Sequence, residues 1–104
     1  MPYSLWSHPQ LEHDLLTLLP KERDEFWQVV HRLQYDPFVP GLGYQVVKVR
    51  DKNPLLSDAW TAHFSRNRLR LLFFVDGARI ILVGVGPRPG FYKKLNRFRS
   101  GRLR

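Results

Sequence analysis

Four side chains in the second half of the chain carry chemistry that packing alone does not call for: His63, Arg70, Arg88 and Tyr92. Arg88 follows the apolar run 80–86 inside the string Gly86-Pro87-Arg88-Pro89-Gly90. The prolines fix the local backbone and the glycines let it turn tightly, so the arginine rides on a rigid turn at a strand end. Such a turn suits contact with an anion; the plainer alternative is an arginine that caps a loop. Arg70 interrupts "RLRLLFFV", where an apolar residue would otherwise stand, either as a cation aimed at a ligand or as a strand-end arginine directed at solvent. His63 is the side chain here with an ordinary pKa near neutrality, about 6.5. It alternates with Trp60, Ala62 and Phe64 and therefore faces away from them. Tyr92 has an ordinary pKa of about 10, so it acts as a base only if strongly perturbed; it can equally stack on a flat ligand or pack the tail onto the sheet.

The charge says what kind of ligand to expect. The 104 residues carry 17 Lys and Arg against 9 Asp and Glu, a net +8. Residues 1–65 hold 6 basic and 8 acidic side chains, whereas residues 66–104 hold 11 basic ones and Asp76 as the lone acid. A cationic half that is also rich in Arg and aromatics suits a polyanion such as nucleic acid. Arg68, Lys93, Lys94, Arg97, Arg99, Arg102 and Arg104 would contact a phosphate backbone without reading sequence. They would serve equally as a docking strip for an acidic protein.

Other classes of function are excluded or disfavoured. With no cysteine there is no disulfide, thiolate metal site or cysteine nucleophile, which is compatible with a cytoplasmic protein. The apolar runs "LLFFV" and "IILVGVG" are far below the roughly 18–20 residues needed to span a bilayer, and no secretory signal precedes them. His8, His13 and His31 show no metal-ligand spacing, no G-x-S-x-G is present, and "GLG" at 41–43 lacks the context of a phosphate loop. No metal and no cofactor is expected.

The elements that must position these residues follow from periodicity. "SHPQLEHDLLTLLP" reads as a helix with Ser7 as N-cap, Pro9 in the first turn, and Leu11, Leu15, Leu18 and Leu19 on one stripe. Pro20 then opens a second helix with Phe26, Val29, Val30 and Leu33 on its apolar face. A Pro- and Gly-dense loop spans 36–43, after which the period becomes two. Strands are expected in "YQVVKVR", "AWTAHFS", "RLRLLFFV" and "ARIILVGVG", with "RN" at 66–67 and "DG" at 76–77 as turns. The last two strands are apolar on both faces and should be central. The expected fold is α+β: a helical hairpin over 8–35 packed on a three- to four-stranded, mainly antiparallel sheet over 44–86, with a basic tail over 87–104, all in a single domain.

In this order, and in the segment "RLRLLFFVDGARIILVGVGPRPGFYKKLNRF", the chain resembles the RelE/ParE superfamily of bacterial toxin–antitoxin toxins. The residues that carry the resemblance are Leu69-Arg70-Leu71-Leu72-Phe73, Asp76-Gly77, Gly86-Pro87-Arg88 and Phe91-Tyr92-Lys93. RelE-like members cut messenger RNA, typically in the ribosomal A site, without a metal; ParE-like members poison DNA gyrase and lack the nuclease residues. Both are neutralised by a small antitoxin. The resemblance implies that Arg70 and Arg88 are phosphate cations, that Tyr92 stacks on a base or orients the attacking 2′-OH, and that His63 completes the set as a base. Thr61, neutral where a second basic residue is expected, departs from the pattern and favours the gyrase-directed alternative. A basic RNA- or ribosome-binding module without catalysis is the third possibility.

Overall fold

The computed structural model describes residues 2–38, 44–49, 58–89 and 91. The elements run β1 Ser4–Ser7, α1 Leu11–Leu16, α2 Pro20–Leu33, β2 Gln45–Lys48, β3 Ala59–Phe64, β4 Leu69–Asp76 and β5 Arg79–Pro87. They form an α+β fold with one sheet of five strands in the order β1-β5-β4-β3-β2, antiparallel throughout except for the parallel pair β1–β5. The sheet thus exceeds the expected three or four strands by β1. Its four residues show no sustained alternation, and their partners lie some 75 positions away (Ser4 opposite Arg79), so nothing local marks them as a strand.

The first helix also differs from expectation. Ser7 ends β1 rather than capping a helix, and α1 is six residues long. Leu11 and Leu18 are buried, but Leu19 is exposed because it adopts an extended conformation at the N-cap of α2. Pro20 opens α2, where a missing N–H costs nothing. The Leu19 N–H is satisfied by Glu22 Oε1 at 2.8 Å. Phe26, Val29, Val30 and Leu33 are all buried, as their spacing requires.

These side chains meet Ala62 and Phe64 of β3, Leu69, Leu71 and Phe73 of β4, and Ile80, Leu82 and Val85 of β5 in the principal core. On the opposite face of the sheet a smaller cluster joins Val49, Ala59, Leu72, Val83 and Phe91. The two-sided burial of β4 and β5 is what their unbroken apolar runs predict. Between them the ladder shifts: Leu72 pairs with Gly84 but Phe73 pairs with Leu82, which leaves Val83 as a bulge. Before the bulge the even-numbered residues Ile80 and Leu82 face the helices, and after it the odd-numbered Val85 does. The bulge therefore turns Gly86 onto the far face.

α1 completes the edge that β1 leaves open. β1 pairs with residues 79–82 of β5, and farther along Asp14 Oδ2 accepts the Val85 N–H at 3.1 Å. A carboxylate thus takes one ladder donor that no strand reaches. At the other end of β5, Gly77 has a φ of +58°, which a two-residue hairpin connection demands and glycine adopts without strain.

Phe91 is fully buried beside Gly86, where a Cβ would lie 3.6 Å from the ring. Phe91→Ala should lower the unfolding free energy by about 3–5 kcal/mol in urea titrations. Gly86→Ala, whose methyl would make an ordinary contact, should leave the midpoint close to that of the wild type.

Candidate functional site

Three of the four candidate residues come together at one end of the far sheet face. His63 lies directly opposite Arg70 across β3 and β4, and Arg70 lies opposite Gly86 across β4 and β5. Gln45 of β2 stands on the other side of His63. Arg88 follows where β5 leaves the sheet. Its N–H donates to the Arg68 carbonyl at 2.7 Å, and its own carbonyl accepts the Phe91 N–H at 3.2 Å. The Pro-Arg-Pro turn is therefore tied to the start of β4 and folded so that Phe91 returns beneath Gly86, while Arg88 remains exposed.

Arg70 is 4% exposed, so it is not a strand-end arginine directed at solvent. Its Nη1 donates to the carbonyls of Asn67 at 2.9 Å and Leu69 at 3.3 Å, which folds the guanidinium back onto its own strand. In this conformation Arg70 supplies charge to the site from beneath, and a direct fork onto a phosphate would require a change of rotamer. Burial pushes the His63 pKa below its usual value, and the positive charges of Arg70 and Arg88 push it the same way. The imidazole is thus held neutral at pH 7. Its Nε2 lies 3.0 Å from Thr61 Oγ1.

Arg68 is bound by its Nη2 to Glu22 Oε2 at 3.1 Å, joining the start of β4 to the N-terminus of α2. The side chain is still 67% exposed, so the pair sits at the rim of a groove of about 660 Å³. Arg66, Arg68, Arg88, Pro87 and Pro89 line this groove against Leu18. A second depression, about 430 Å³, is lined by Tyr44, Gln45, His63, Arg66 and Asn67. Among the described residues no cluster of His, Asp and Glu suited to hold a metal ion is found.

The β3–β4 turn, read from the sequence only as tight, separates the two hollows. Ser65, Arg66 and Asn67 have φ values of 53°, 57° and 67°, in the left-handed region that non-glycine residues avoid. Such conformations cost on the order of 1–3 kcal/mol each and gather at functional sites. They carry Arg66, a cation the sequence did not single out, to a position lining both hollows. The signal that could have exposed it was a run of polar residues between two strands with no glycine to form the turn. Tyr92, Lys93, Lys94, Arg97, Arg99, Arg102 and Arg104 lie outside the described residues.

No family model and no curated protein matches the sequence. Solved structures do. The chain is similar to the RelBE2 toxin–antitoxin complex of Mycobacterium tuberculosis, at 19% identity over 85% of this chain and 100% of that one, with a TM-score of 0.63. It is similar to the archaeal RelE–RelB complex of Pyrococcus horikoshii, at 22% identity over 85% and 97% of the two chains, with a TM-score of 0.63. The isolated RelE toxin of Escherichia coli matches at 16% identity over 91% and 96%, with a TM-score of 0.62. At these identities the likeness is one of fold, and the fold is RelE-like.

The neutral imidazole has two measurable consequences. The proton NMR titration of His63 should fall below the ordinary histidine midpoint of about 6.5, and Arg88→Ala should raise it; a midpoint indifferent to Arg88 would remove that arginine from the site. Because the folded protein resists protonation more than the unfolded chain, the unfolded chain binds more protons as the pH falls below the ordinary histidine value. His63 thus contributes stability above that value that is lost toward acid, and His63→Gln should flatten the decline in urea midpoint between about pH 7 and 5.

Proposed function

We propose that this protein is the toxin of a toxin–antitoxin pair and a metal-independent endoribonuclease that cleaves messenger RNA on the ribosome. The observation that carries the reading is a His63 kept neutral by burial and by the charges of Arg70 and Arg88, in a hollow that shares Arg66 with the neighbouring arginine-lined groove, on a RelE-like fold.

In this reaction a ribose 2′-oxygen bonds to the adjacent phosphorus while the bond to the 5′-oxygen breaks. A cyclic phosphate results, together with a 5′-oxygen that takes a proton from solvent water to become a free hydroxyl. His63, uncharged at pH 7, accepts the 2′ proton. Arg88 lies exposed on a turn whose backbone is fixed at both ends, so its guanidinium reaches from a fixed anchor toward the charge developing on the phosphoryl oxygens. Arg70 adds a buried positive field, and burial makes that field less screened than at the surface. Tyr92 would stack on a base or orient the 2′-OH, and Arg68, Lys93, Lys94, Arg97 and Arg99 would hold flanking phosphates. Cleavage on the ribosome places the activity in the cytoplasm. The antitoxin expected as partner agrees with the RelB-bound state of two of the similar structures.

The test is primer extension on a message in a purified translation system, with and without ribosomes. Arg88→Ala should reduce new 5′ ends by about 10²–10³-fold, the usual effect of removing a preorganised donor, without loss of fold. His63→Gln should cost about 10²–10⁴-fold. Uncut message from the folded wild type would end the nuclease reading in favour of a gyrase-directed toxin or a simple RNA binder. Binding to single-stranded RNA should weaken with salt, and Lys93→Ala or Lys94→Ala should each lower the slope of log K against log salt by about 0.7.

A further inference from the structure

Thr61 precedes His63 by two residues in β3, on the same face of the sheet, and is 1% exposed. Its hydroxyl oxygen lies 3.0 Å from His63 Nε2 and 3.3 Å from the carbonyl oxygen of Val47, its cross-strand partner in β2. A threonine hydroxyl has one proton and two lone pairs. If that proton pointed at the imidazole, the hydroxyl and carbonyl oxygens would face each other across 3.3 Å with no hydrogen between them, at a threonine that is itself almost fully buried. If it points at the Val47 carbonyl, both contacts are hydrogen bonds, on the condition that His63 donates from Nε2.

We propose that Thr61 is a positioning residue whose hydroxyl, anchored on the Val47 carbonyl, selects the Nε2–H tautomer of His63 and leaves Nδ1 as the proton acceptor of the site. The ring borders the smaller hollow together with Tyr44, Gln45 and Arg66. Four titratable or charged groups surround it: Arg70 from β4, Arg88 from the turn after β5, Arg66 from the β3–β4 turn and Tyr44 from the approach to β2. Cations on several sides favour an uncharged imidazole, and an uncharged imidazole can bind its neighbours through either nitrogen. A partner that fixes the tautomer fixes which nitrogen can take a proton, and a base in the wrong tautomer is inactive however well it is placed. This accounts for a neutral residue at position 61. A lysine there would add a further positive charge beside Arg70 and Arg88 and would offer no lone pair to Nε2–H. The catalytic consequence rests on the nuclease reading, whereas the tautomer does not.

The experiment is long-range ¹⁵N–¹H NMR of the imidazole nitrogens in the full-length labelled protein, at a pH above the His63 midpoint, for wild type, Thr61→Val and Thr61→Ser. The wild type and the serine variant should show Nε2 protonated and Nδ1 bare. The near-isosteric valine variant should move the tautomer ratio toward Nδ1–H by about two- to tenfold, the effect of one hydrogen bond. Nδ1–H in the wild type overturns the assignment by itself, even if the valine variant fails to fold. An unchanged ratio in a valine variant with a native amide spectrum overturns it too. In the cleavage assay Thr61→Val should lower kcat with KM held, and Thr61→Ser should restore it. RNA left uncut by the wild type would count against the nuclease reading, and the nitrogen spectra would still decide what Thr61 does.

Discussion

The register of β4 between its two neighbours governs the whole far face of the sheet. Side chains alternate along a strand, so a slip of one residue would carry Arg70 into the helical core and put Leu71 or Leu69 in its place. Leu69, Leu71 and Phe73 resist that slip, since all three are buried against α2 and would be turned to the other side. The bulge at Val83 extends the same control to β5. Without it Val85, not Gly86, would lie opposite Arg70 on the site face, and the turn bearing Arg88 would leave the sheet with the opposite hand. A one-residue irregularity thus aims a catalytic candidate, which is a common use of bulges.

The site is electrostatically unusual because the sheet is buried on both sides. Arg70 and Thr61, both almost fully enclosed, would be ordinary surface residues if the far face were open to water. Phe91, returned under Gly86 by the Pro-Arg-Pro turn, helps to close that face. Enclosure disfavours the charged imidazole directly and also raises the effect of each neighbouring charge, so burial first, and Arg70 and Arg88 after it, lower the pKa of the half-buried His63. Packing and the candidate site are therefore not separable here: the aromatic that stabilises the far cluster also covers Gly86, the cross-strand neighbour of Arg70.

The helical layer reaches the site through polar contacts rather than apolar ones. Glu22 accepts the Leu19 N–H with one oxygen and Arg68 with the other, so the start of α2 and the start of β4 share one carboxylate. Asp14 of α1 plays the matching part on β5 through the Val85 N–H. Together they bring the α1–α2 connection up to the arginines and make Leu18 one wall of the larger groove.

By itself the sequence determined the two layers and their order. The spacing of Phe26, Val29, Val30 and Leu33 specified the buried face of α2, Asp76-Gly77 specified the β4–β5 hairpin, and the alternation around His63 turned it away from Trp60, Ala62 and Phe64. The charge gradient located the cationic half, and the proline-flanked Arg88 marked the turn. These features were legible because each is local, a matter of neighbours within one helical turn or one pleat. What only the tertiary structure decided is non-local: β1 beside β5, the bulge at Val83, the burial of Arg70, the pairing of Arg68 with Glu22 and the place of Arg66 between two hollows. The run Ile80–Val85 is apolar on both sides, so no pattern in it could tell which residues face the helices. Thr61 shows the difference most plainly. As a letter in the sequence it was a missing cation, and only the fold, by setting Val47 on one side of its hydroxyl and His63 on the other, made it part of the site.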